Sequence, residues 1–191
     1  RSYPTSTGCR ELFRTGVLGK VSRIEQCRNG TRPYWYSRLN MDVKPGDVDW
    51  KEFLMDRPME PFRADRFTGW YGYRAFSDGP IPGLASHFVD LLNFIVGTTI
   101  PSSAVAQSGT FTWKDEHGFT CPDHVEATWV YPEGFMVNYS TNFGNSTGNC
   151  LRICGDQGII DLSNWRAPTV SDSGAGKSSK LGEPKPVEPI E

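Results

Sequence analysis

The clearest periodic pattern in the chain follows the turn Gly79–Pro82. Four apolar side chains recur there at i, i+3, i+4 and i+7 and share one helical face: Phe88, Leu91, Leu92 and Ile95. Pro82 suits the first turn of a helix, where its missing N–H is not needed, and Gly97 is a typical C-terminal cap. The pattern therefore predicts an amphipathic helix between Pro82 and Gly97.

Strand patterns dominate after Pro101. Residues 135–143 alternate strictly between apolar and polar positions, and residues 125–131 precede them across the tight turn Pro132-Glu133-Gly134. Further strands are predicted at 104–113, at 151–154 and at 159–162, the last two flanking a turn. Because short turns join successive strands, we predict an antiparallel meander.

The first third of the chain is less regular. Residues 5–16 predict a short helix closed by Gly16, and residues 17–26 predict a strand with weak alternation. Residues 29–66 form a long excursion, in which Asp47 or Asp49 would cap a short helix at Trp50–Leu54.

These elements together predict an α+β fold, a mostly antiparallel open sheet with helices packed on one face. We expect one domain over residues 1–165. Residues 166–191 are rich in Ser, Gly, Lys and Pro, so they predict a flexible tail or an extended arm.

Composition narrows the function classes. The chain has 191 residues, 37% hydrophobic and 22% charged, with a formal net charge of -2. This balance is ordinary for a globular domain and favours neither nucleic acid nor an anionic membrane as partner. The first residues lack the apolar stretch of a signal peptide, so we expect a cytoplasmic location. Five cysteines without a CxxC pair, and three scattered histidines, predict no metal site.

One segment imitates a phosphate-binding loop. Residues 174–178 read Gly-Ala-Gly-Lys-Ser, but the earlier glycine of that motif is replaced by Ser171, and no strand or helix pattern flanks the segment. No G-x-G-x-x-G occurs anywhere in the chain. We therefore expect this chain to bind neither NAD nor NADP by itself.

Five motifs in order carry a family resemblance: residues 16–21 (GVLGKV), 49–54 (DWKEFL), 66–74 (RFTGWYGYR), 79–90 with Ser86-His87-Phe88-Val89-Asp90, and 131–135 (YPEGF). Over about residues 1–163 the chain resembles the C-terminal domain of the Gfo/Idh/MocA oxidoreductases, the group of glucose–fructose oxidoreductase and inositol dehydrogenase. The resemblance implies a glyceraldehyde-3-phosphate-dehydrogenase-like C-terminal fold. It also implies a Rossmann domain before residue 1, absent from this chain, that carries NAD or NADP and a catalytic lysine.

The resemblance also points to His87. The family's C-terminal domain supplies an Asp and a His one helical turn apart, and His87 matches the His. The Asp position, four residues earlier, is Gly83, which puts ordinary family chemistry in doubt. A base with a pKa near neutrality suits removal of a hydroxyl proton during alcohol oxidation, and a helix N-terminus favours neutral imidazole. The alternative is that His87 packs locally, with Asp90 as its partner.

Aromatic and basic residues upstream are candidate sugar-binding groups. Trp70 and Tyr73 could stack on a sugar face and Arg74 could bind its hydroxyls, although aromatic residues at this density are equally typical of a core. His124, next to Asp123, is a weaker candidate for substrate binding.

The sequence thus predicts the substrate-binding and oligomerisation domain of an NAD(P)-dependent oxidoreductase that acts on a sugar or polyol. We expect the chain alone to be inactive, and the full protein to form a homo-oligomer through the sheet. Two alternatives stay open: a non-catalytic homo-oligomerisation module, and a carbohydrate-binding or hydrolytic domain on the same fold. Hydrolysis would require a close carboxylate pair, from which Gly83 removes the obvious member.

Overall fold

A computed structural model describes residues 3–98, 100–174 and 180–190. Its α-helices are α1 (Pro4–Arg14), α2 (Trp50–Leu54), α3 (Ala64–Thr68) and α4 (Ser86–Val96). Its strands are β1 (Val21–Gly30), β2 (Ser103–Gly109), β3 (His124–Tyr131), β4 (Phe135–Phe143), β5 (Cys150–Gly155), β6 (Gly158–Asp161), β7 (Thr169–Asp172) and β8 (Lys185–Pro186). Residues 175–178 of the segment that imitates a phosphate loop lie outside the described residues.

All eight strands form one open sheet in the order β2-β3-β4-β1-β5-β6-β7-β8. Every pairing is antiparallel except that of β1 with β4. Helices α1 and α4 pack on one face of this sheet, and the apolar side chains of that face form the core with them. The predicted α+β class and the open, mostly antiparallel sheet are confirmed.

The predicted meander is wrong in one respect, because β1 lies inside it. This strand separates β4 from β5 and runs parallel to β4, with Ile24 opposite both Val137 and Ile153. Ile24 and Val137 are fully buried. Short turns predict which strands are neighbours in sequence, but a parallel neighbour arrives by a long crossover that leaves no local signal.

The C-terminal residues extend the sheet. Strands β7 and β8 pair with each other, and Val170 and Val187 are buried in the main core. The amide of Ile190 donates to the carbonyl of Pro4, which ties the end of the described chain to α1. The described residues of 166–191, which we call the C-terminal arm, are ordered by backbone pairing and by two apolar anchors, which suffice for a polar segment.

The helix that carries the candidate base begins with an irregular turn. Residues 81–85 form a π-helical turn that runs directly into α4, and α4 ends at Gly97 with a φ of 83°, the left-handed conformation that glycine adopts easily. The predicted cap of α2 is confirmed at Asp49, whose carboxylate accepts the Glu52 amide hydrogen. Phe88, Leu92 and Ile95 are buried, so the predicted stripe of α4 faces the core.

The excursion between β1 and α4 builds a second, aromatic core. Trp35, Tyr36, Cys121 and Phe143 are its buried centre. It encloses the loop before β3 and lies beside the N-terminal turn of α4, since Tyr34 and Leu84 pack against it. Leu84 also lines the cavity that is described next, so the two regions meet at this residue.

Candidate functional site

A cavity of about 500 Å³ opens between the helices and the helix-facing side of the sheet. Its walls come from α1, β1, α4, β5 and the loop that follows β6. The residues that line it are Tyr3, Ser6, Gln26, Arg28, Leu84, His87, Phe88, Asp90, Leu91, Asn149, Cys150, Leu151, Leu162, Ser163 and Trp165. Apolar surface from the leucines and aromatic rings alternates with polar groups, which is the composition of a small-molecule site.

His87 lies on the helical wall of this cavity. It occupies the first turn of α4, next to Phe88, whose side chain is buried in the core. His87 itself is exposed, so its imidazole is accessible from the cavity and is not enclosed by apolar side chains. The structure therefore leaves this imidazole able to exchange a proton with a bound molecule.

Gln26 and Arg28 form the sheet wall opposite. They share the helix-facing side of β1 with Ile24, because side chains two residues apart in a strand point the same way. The Oε1 atom of Gln26 is buried and has no hydrogen-bond partner among the described residues. Arg28 is half-buried, and the described residues bring no carboxylate oxygen within 4.0 Å of it.

The position that the resemblance reserves for an Asp is filled by a tyrosine from another element. A β-carbon on Gly83 would lie 2.5 Å from the hydroxyl oxygen of Tyr34. That hydroxyl is buried and, within the described chain, has no hydrogen-bond partner. Burial, followed by the neighbouring Cys121, raises the pKa of Tyr34 well above its usual value, so the phenol stays protonated.

The structure does not bring Tyr73 into this cavity. The ring of Tyr73 is buried, and its hydroxyl donates to the carbonyl of His117 at 2.9 Å and contacts the Asp65 carboxylate at 3.2 Å. Burial, followed by the charge of Asp65, raises the pKa of Tyr73. Through these contacts, Tyr73 connects the excursion to the loop between β2 and β3.

Trp70 and Arg74 also lie outside the residues that line the cavity. Trp70 stacks on Tyr71 with ring centroids 3.7 Å apart. Arg74 is exposed, and its Nε donates to the carbonyl of Thr120 at 3.3 Å. The aromatic cluster that the sequence offered for sugar binding is therefore divided between a core and a loop.

His124 belongs to a structural network. Its Nδ1 lies 2.6 Å from Asp123, whose carboxylate also accepts the backbone amides of Phe111, Thr112 and Trp113. Burial alone would raise the pKa of Asp123, but the hydrogen bonds from His124 and these amides lower it below its usual range. The Asp123 carboxylate organises the loop between β2 and β3.

Sequence reasoning did not identify the sheet wall of the cavity. The predicted strand ended at Gln26, whereas β1 continues to Gly30 and carries Arg28. Ile24, Gln26 and Arg28 are spaced two residues apart, so a predicted strand that continued past Gln26 would have placed all three on one face. Asn149 and Ser163 complete the polar lining from chain segments that no local pattern connects.

A protein-family model described as the GFO/IDH/MocA C-terminal domain matches residues 8–161. The chain belongs to this family. The match runs from the middle of α1 to the end of β6, and so includes β1 and α4, which carry the cavity's opposite walls. No curated protein sequence matches the chain significantly.

Solved structures of Gfo/Idh/MocA-type oxidoreductases share this domain's fold. Levoglucosan dehydrogenase in complex with NADH has a TM-score of 0.63 at 12% identity, over 96% of this chain and 44% of that one. An oxidoreductase domain protein from Kribbella flavida has a TM-score of 0.61 at 16% identity, over 96% and 44%. Aldose-aldose oxidoreductase from Caulobacter crescentus complexed with glycerol has a TM-score of 0.60 at 17% identity, over 100% and 47%.

This Gfo/Idh/MocA domain spans less than half the length of those proteins. Within the described ranges, no helix has both the length and the apolar character needed to cross a lipid bilayer. Nor do the described residues place three His, Cys, Asp or Glu side chains together in a way that could hold a metal ion.

Proposed function

We propose that this chain is the substrate-side domain of an NAD(P)-dependent oxidoreductase acting on a sugar or polyol, with the 500 Å³ cavity as the place where the substrate binds. The observation that carries the proposal is His87, an accessible imidazole in the first turn of α4 that faces a polar-lined cavity in a Gfo/Idh/MocA domain. Two proteins of the same fold have names that indicate sugar substrates: levoglucosan dehydrogenase and aldose-aldose oxidoreductase.

In this proposal His87 is the general base. Neutral imidazole accepts the proton of the substrate hydroxyl while the carbon that bears it is oxidised. The amide of Gln26 and the hydroxyl of Ser163 bind further hydroxyls, and Phe88, Leu91 and Leu151 exclude water from the apolar face of the sugar ring. The walls hold the alcohol carbon beside His87, so the reaction gains from orientation as well as from proton transfer.

The residues of this chain do not fit a dinucleotide. The chain contains no G-x-G-x-x-G, and the crossover from β1 to its parallel neighbour β4 passes through the helices α2, α3 and α4 and the strands β2 and β3 without a glycine-rich phosphate cradle among the described residues. The cofactor would bind to another part of the complete protein. We therefore expect calorimetric titration of the isolated chain with NAD(H) or NADP(H) to show no micromolar binding, and micromolar binding would contradict this assignment.

Gly83 changes how the base is assisted. The resemblance implies an Asp at position 83, whereas in this chain the neutral hydroxyl of Tyr34 lies 2.5 Å from the place where the β-carbon of such a residue would stand. A neutral phenol cannot stabilise an imidazolium as a carboxylate does, so His87 must act with less electrostatic help. This predicts a smaller contribution from the base than in an enzyme with the full pair.

The test is the turnover rate of the complete protein after His87→Ala. We expect a decrease of roughly 100-fold, the lower end of the range for a general acid–base group. His117→Gln is the matched control, because His117 lies in the loop between β2 and β3, outside the residues that line the cavity, where its imidazole contacts Asp65 at 3.5 Å. An unchanged rate in His87→Ala, with the fold intact by circular dichroism, rejects the role of His87.

Self-association through the outer face of the sheet is part of the same proposal. Met136, Asn138, Ser140 and Asn142 lie along β4 on the side opposite the buried Val137 and Tyr139. These uncharged side chains permit close packing between two sheets, and among the described helices both α1 and α4 pack on the other face. Sedimentation at micromolar concentration should show a dimer or larger, and Ser140→Arg at the centre of the face should shift it to monomer. A monomeric parent protein would exclude this assembly.

A further inference from the structure

Arg28 is the feature of the cavity that a neutral sugar does not explain. It is half-buried on β1, and no hydrogen bond or carboxylate contact of its guanidinium occurs among the described residues. Other partly buried arginines have partners: Arg66 pairs with Glu60 at 2.8 Å, Arg152 pairs with Asp161 at 2.9 Å, and Arg57 donates to the backbone carbonyls of Leu54 and Ala75. The fold therefore provides partners for such arginines elsewhere and leaves Arg28 open towards the cavity.

The guanidinium of an arginine is a permanent cation, so its burial has to be offset by a partner. A partly desolvated charge without a partner is unfavourable, and a bound anion removes that penalty. The planar fork of Arg matches two oxygens of a carboxylate or phosphate. Asp90, the carboxylate among the lining residues, is exposed on the helical wall and makes an interaction of its own.

The neighbouring Gln26 specifies the rest of the ligand. Its Oε1 is a buried acceptor that lacks a donor within the described residues. An unsatisfied buried acceptor is costly, and a ligand hydroxyl would satisfy it. Gln26 and Arg28 are two residues apart on one strand, so their Cα atoms are separated by about 7 Å, roughly the length of one monosaccharide.

We propose that the Arg28–Gln26 wall binds a sugar that carries an anionic group. The carboxylate or phosphate of the ligand pairs with Arg28, a ring hydroxyl donates to Gln26 Oε1, and the alcohol to be oxidised lies beside His87. This inference rests on the proposed function and names its substrate class as acidic sugars.

The experiment measures binding to the full gene product in the presence of NAD(H), by calorimetry, with three probes: D-glucuronate, D-glucose 6-phosphate and D-glucose. We expect one of the two anionic sugars to bind at least ~10-fold more tightly than D-glucose, since a hydrogen bond to a charged group is worth roughly 1.5–3 kcal/mol. The preferred probe identifies the anion as a carboxylate or a phosphate.

Three variants locate the effect. Arg28→Gln should remove the preference for the anionic sugar, a loss of about 10- to 100-fold in its affinity, while D-glucose binding stays unchanged. Arg28→Lys keeps the charge without the planar fork and should retain part of the preference, which covers the case in which Arg28→Gln folds poorly. Arg23→Gln is the control, because Arg23 lies on the opposite face of the same strand, where it pairs with Glu25.

Equal affinity for all three probes, no binding of any of them, or an anionic preference that survives Arg28→Gln would each overturn the inference. Turnover separates this result from the proposed function. If a neutral sugar is oxidised and Arg28→Gln leaves the rate unchanged, the acidic substrate is excluded and the oxidoreductase stands. If anionic sugars bind through Arg28 but none is oxidised with NAD or NADP, the binding site stands and the reaction is excluded.

Discussion

The hydroxyl oxygen of Tyr34 lies 2.5 Å from the point where a β-carbon on Gly83 would stand. Two features of the chain are explained by this relationship. A side chain at position 83 would require Tyr34 to move, because its β-carbon would overlap that oxygen. The buried hydroxyl lacks a hydrogen-bond partner among the described residues, so Tyr34 occupies this space at some cost in stability.

The first prediction concerns this pair. Gly83→Asp should destabilise the protein by about 2–4 kcal/mol, because it combines overpacking with a poorly solvated carboxylate. Tyr34→Phe alone should be neutral or slightly stabilising, and it should reduce the cost of Gly83→Asp by about 1–3 kcal/mol in a double-mutant cycle. Urea unfolding of the four proteins measures the coupling. Gly46→Asp is the control, since a β-carbon there meets nothing within 4 Å. Strict additivity of the two substitutions would show that they do not compete for one space.

The second prediction concerns Asp123, which is 1% exposed and accepts three backbone amides as well as His124. Asp123→Asn replaces one acceptor oxygen by an amide that faces these donors, and should cost about 2–4 kcal/mol at pH 7. Asp42→Asn, an exposed substitution, should change stability by no more than about 0.5 kcal/mol. A similar small effect at Asp123 would mean that the loop from Phe111 to Trp113 does not depend on the carboxylate.

At acidic pH, the free energies of unfolding of the wild type and of Asp123→Asn should differ less than at pH 7. The folded-state pKa of Asp123 is lowered, so its contribution is fully present above the unfolded value of about 3.9. As the pH falls from there towards the folded pKa, the unfolded chain binds the proton first and the contribution is lost. Urea unfolding at pH 7 and at pH 3 should therefore show a smaller difference at pH 3. A difference that grows in acid would contradict the direction of the shift.

The third prediction concerns the C-terminal arm and α1. A β-carbon on Gly8 would overlap the backbone carbonyl of Glu188, next to the buried Val187. Gly8→Ala should therefore displace the arm, although alanine alone favours a helix by about 1 kcal/mol. Hydrogen exchange should accelerate at the Val187 amide, which donates to the Pro168 carbonyl, and should stay unchanged in β4. In a chain shortened to residue 183, Gly8→Ala should become stabilising, because the obstacle has been removed. If it destabilises the shortened chain equally, the arm is not what excludes a side chain at Gly8.

The fourth prediction concerns two buried thiols. Burial raises the pKa of Cys9 from 9.0 to about 12 and that of Cys121 to about 11. Because the thiolate is the reactive form, iodoacetamide at pH 8.5 should leave both thiols unmodified in the folded protein and modify both in urea. Peptide mass spectrometry gives the extent at each cysteine, with the half-buried Cys27 as the internal comparison. Modification of folded Cys9 at the rate of the unfolded chain would contradict its burial.

The same pKa shifts predict alkaline sensitivity. A thiol whose folded pKa is raised contributes full stability below the unfolded value of about 9 and loses that contribution as the pH rises through the folded pKa. We therefore expect the free energy of unfolding to fall between pH 9 and about pH 11. Urea unfolding at a series of pH values in this range measures the decrease. Cys9→Ala should weaken this pH dependence, and an identical slope in that variant would assign it to other groups.

Local patterns in the sequence determined much of the fold. The apolar stripe of α4, the cap of α2 at Asp49 and the strict alternation of β4 each depend on neighbours within one or two turns. Backbone geometry and side-chain polarity fix such elements without help from distant residues, so they can be read directly. The family motifs identified His87 as a candidate base. Its position on the cavity wall is compatible with that role.

Contacts between distant segments decided the rest. The insertion of β1 between β4 and β5, the docking of Val187 under α1 and the replacement of a side chain at position 83 by Tyr34 all join residues that no local period relates. The same holds for the cavity, where Arg28 becomes significant only because the fold brings no carboxylate to it within the described residues. Local sequence specifies conformation through short-range sterics and hydrogen bonding, whereas the burial and pairing of a charge depend on which surfaces meet when the whole sheet closes on its helices.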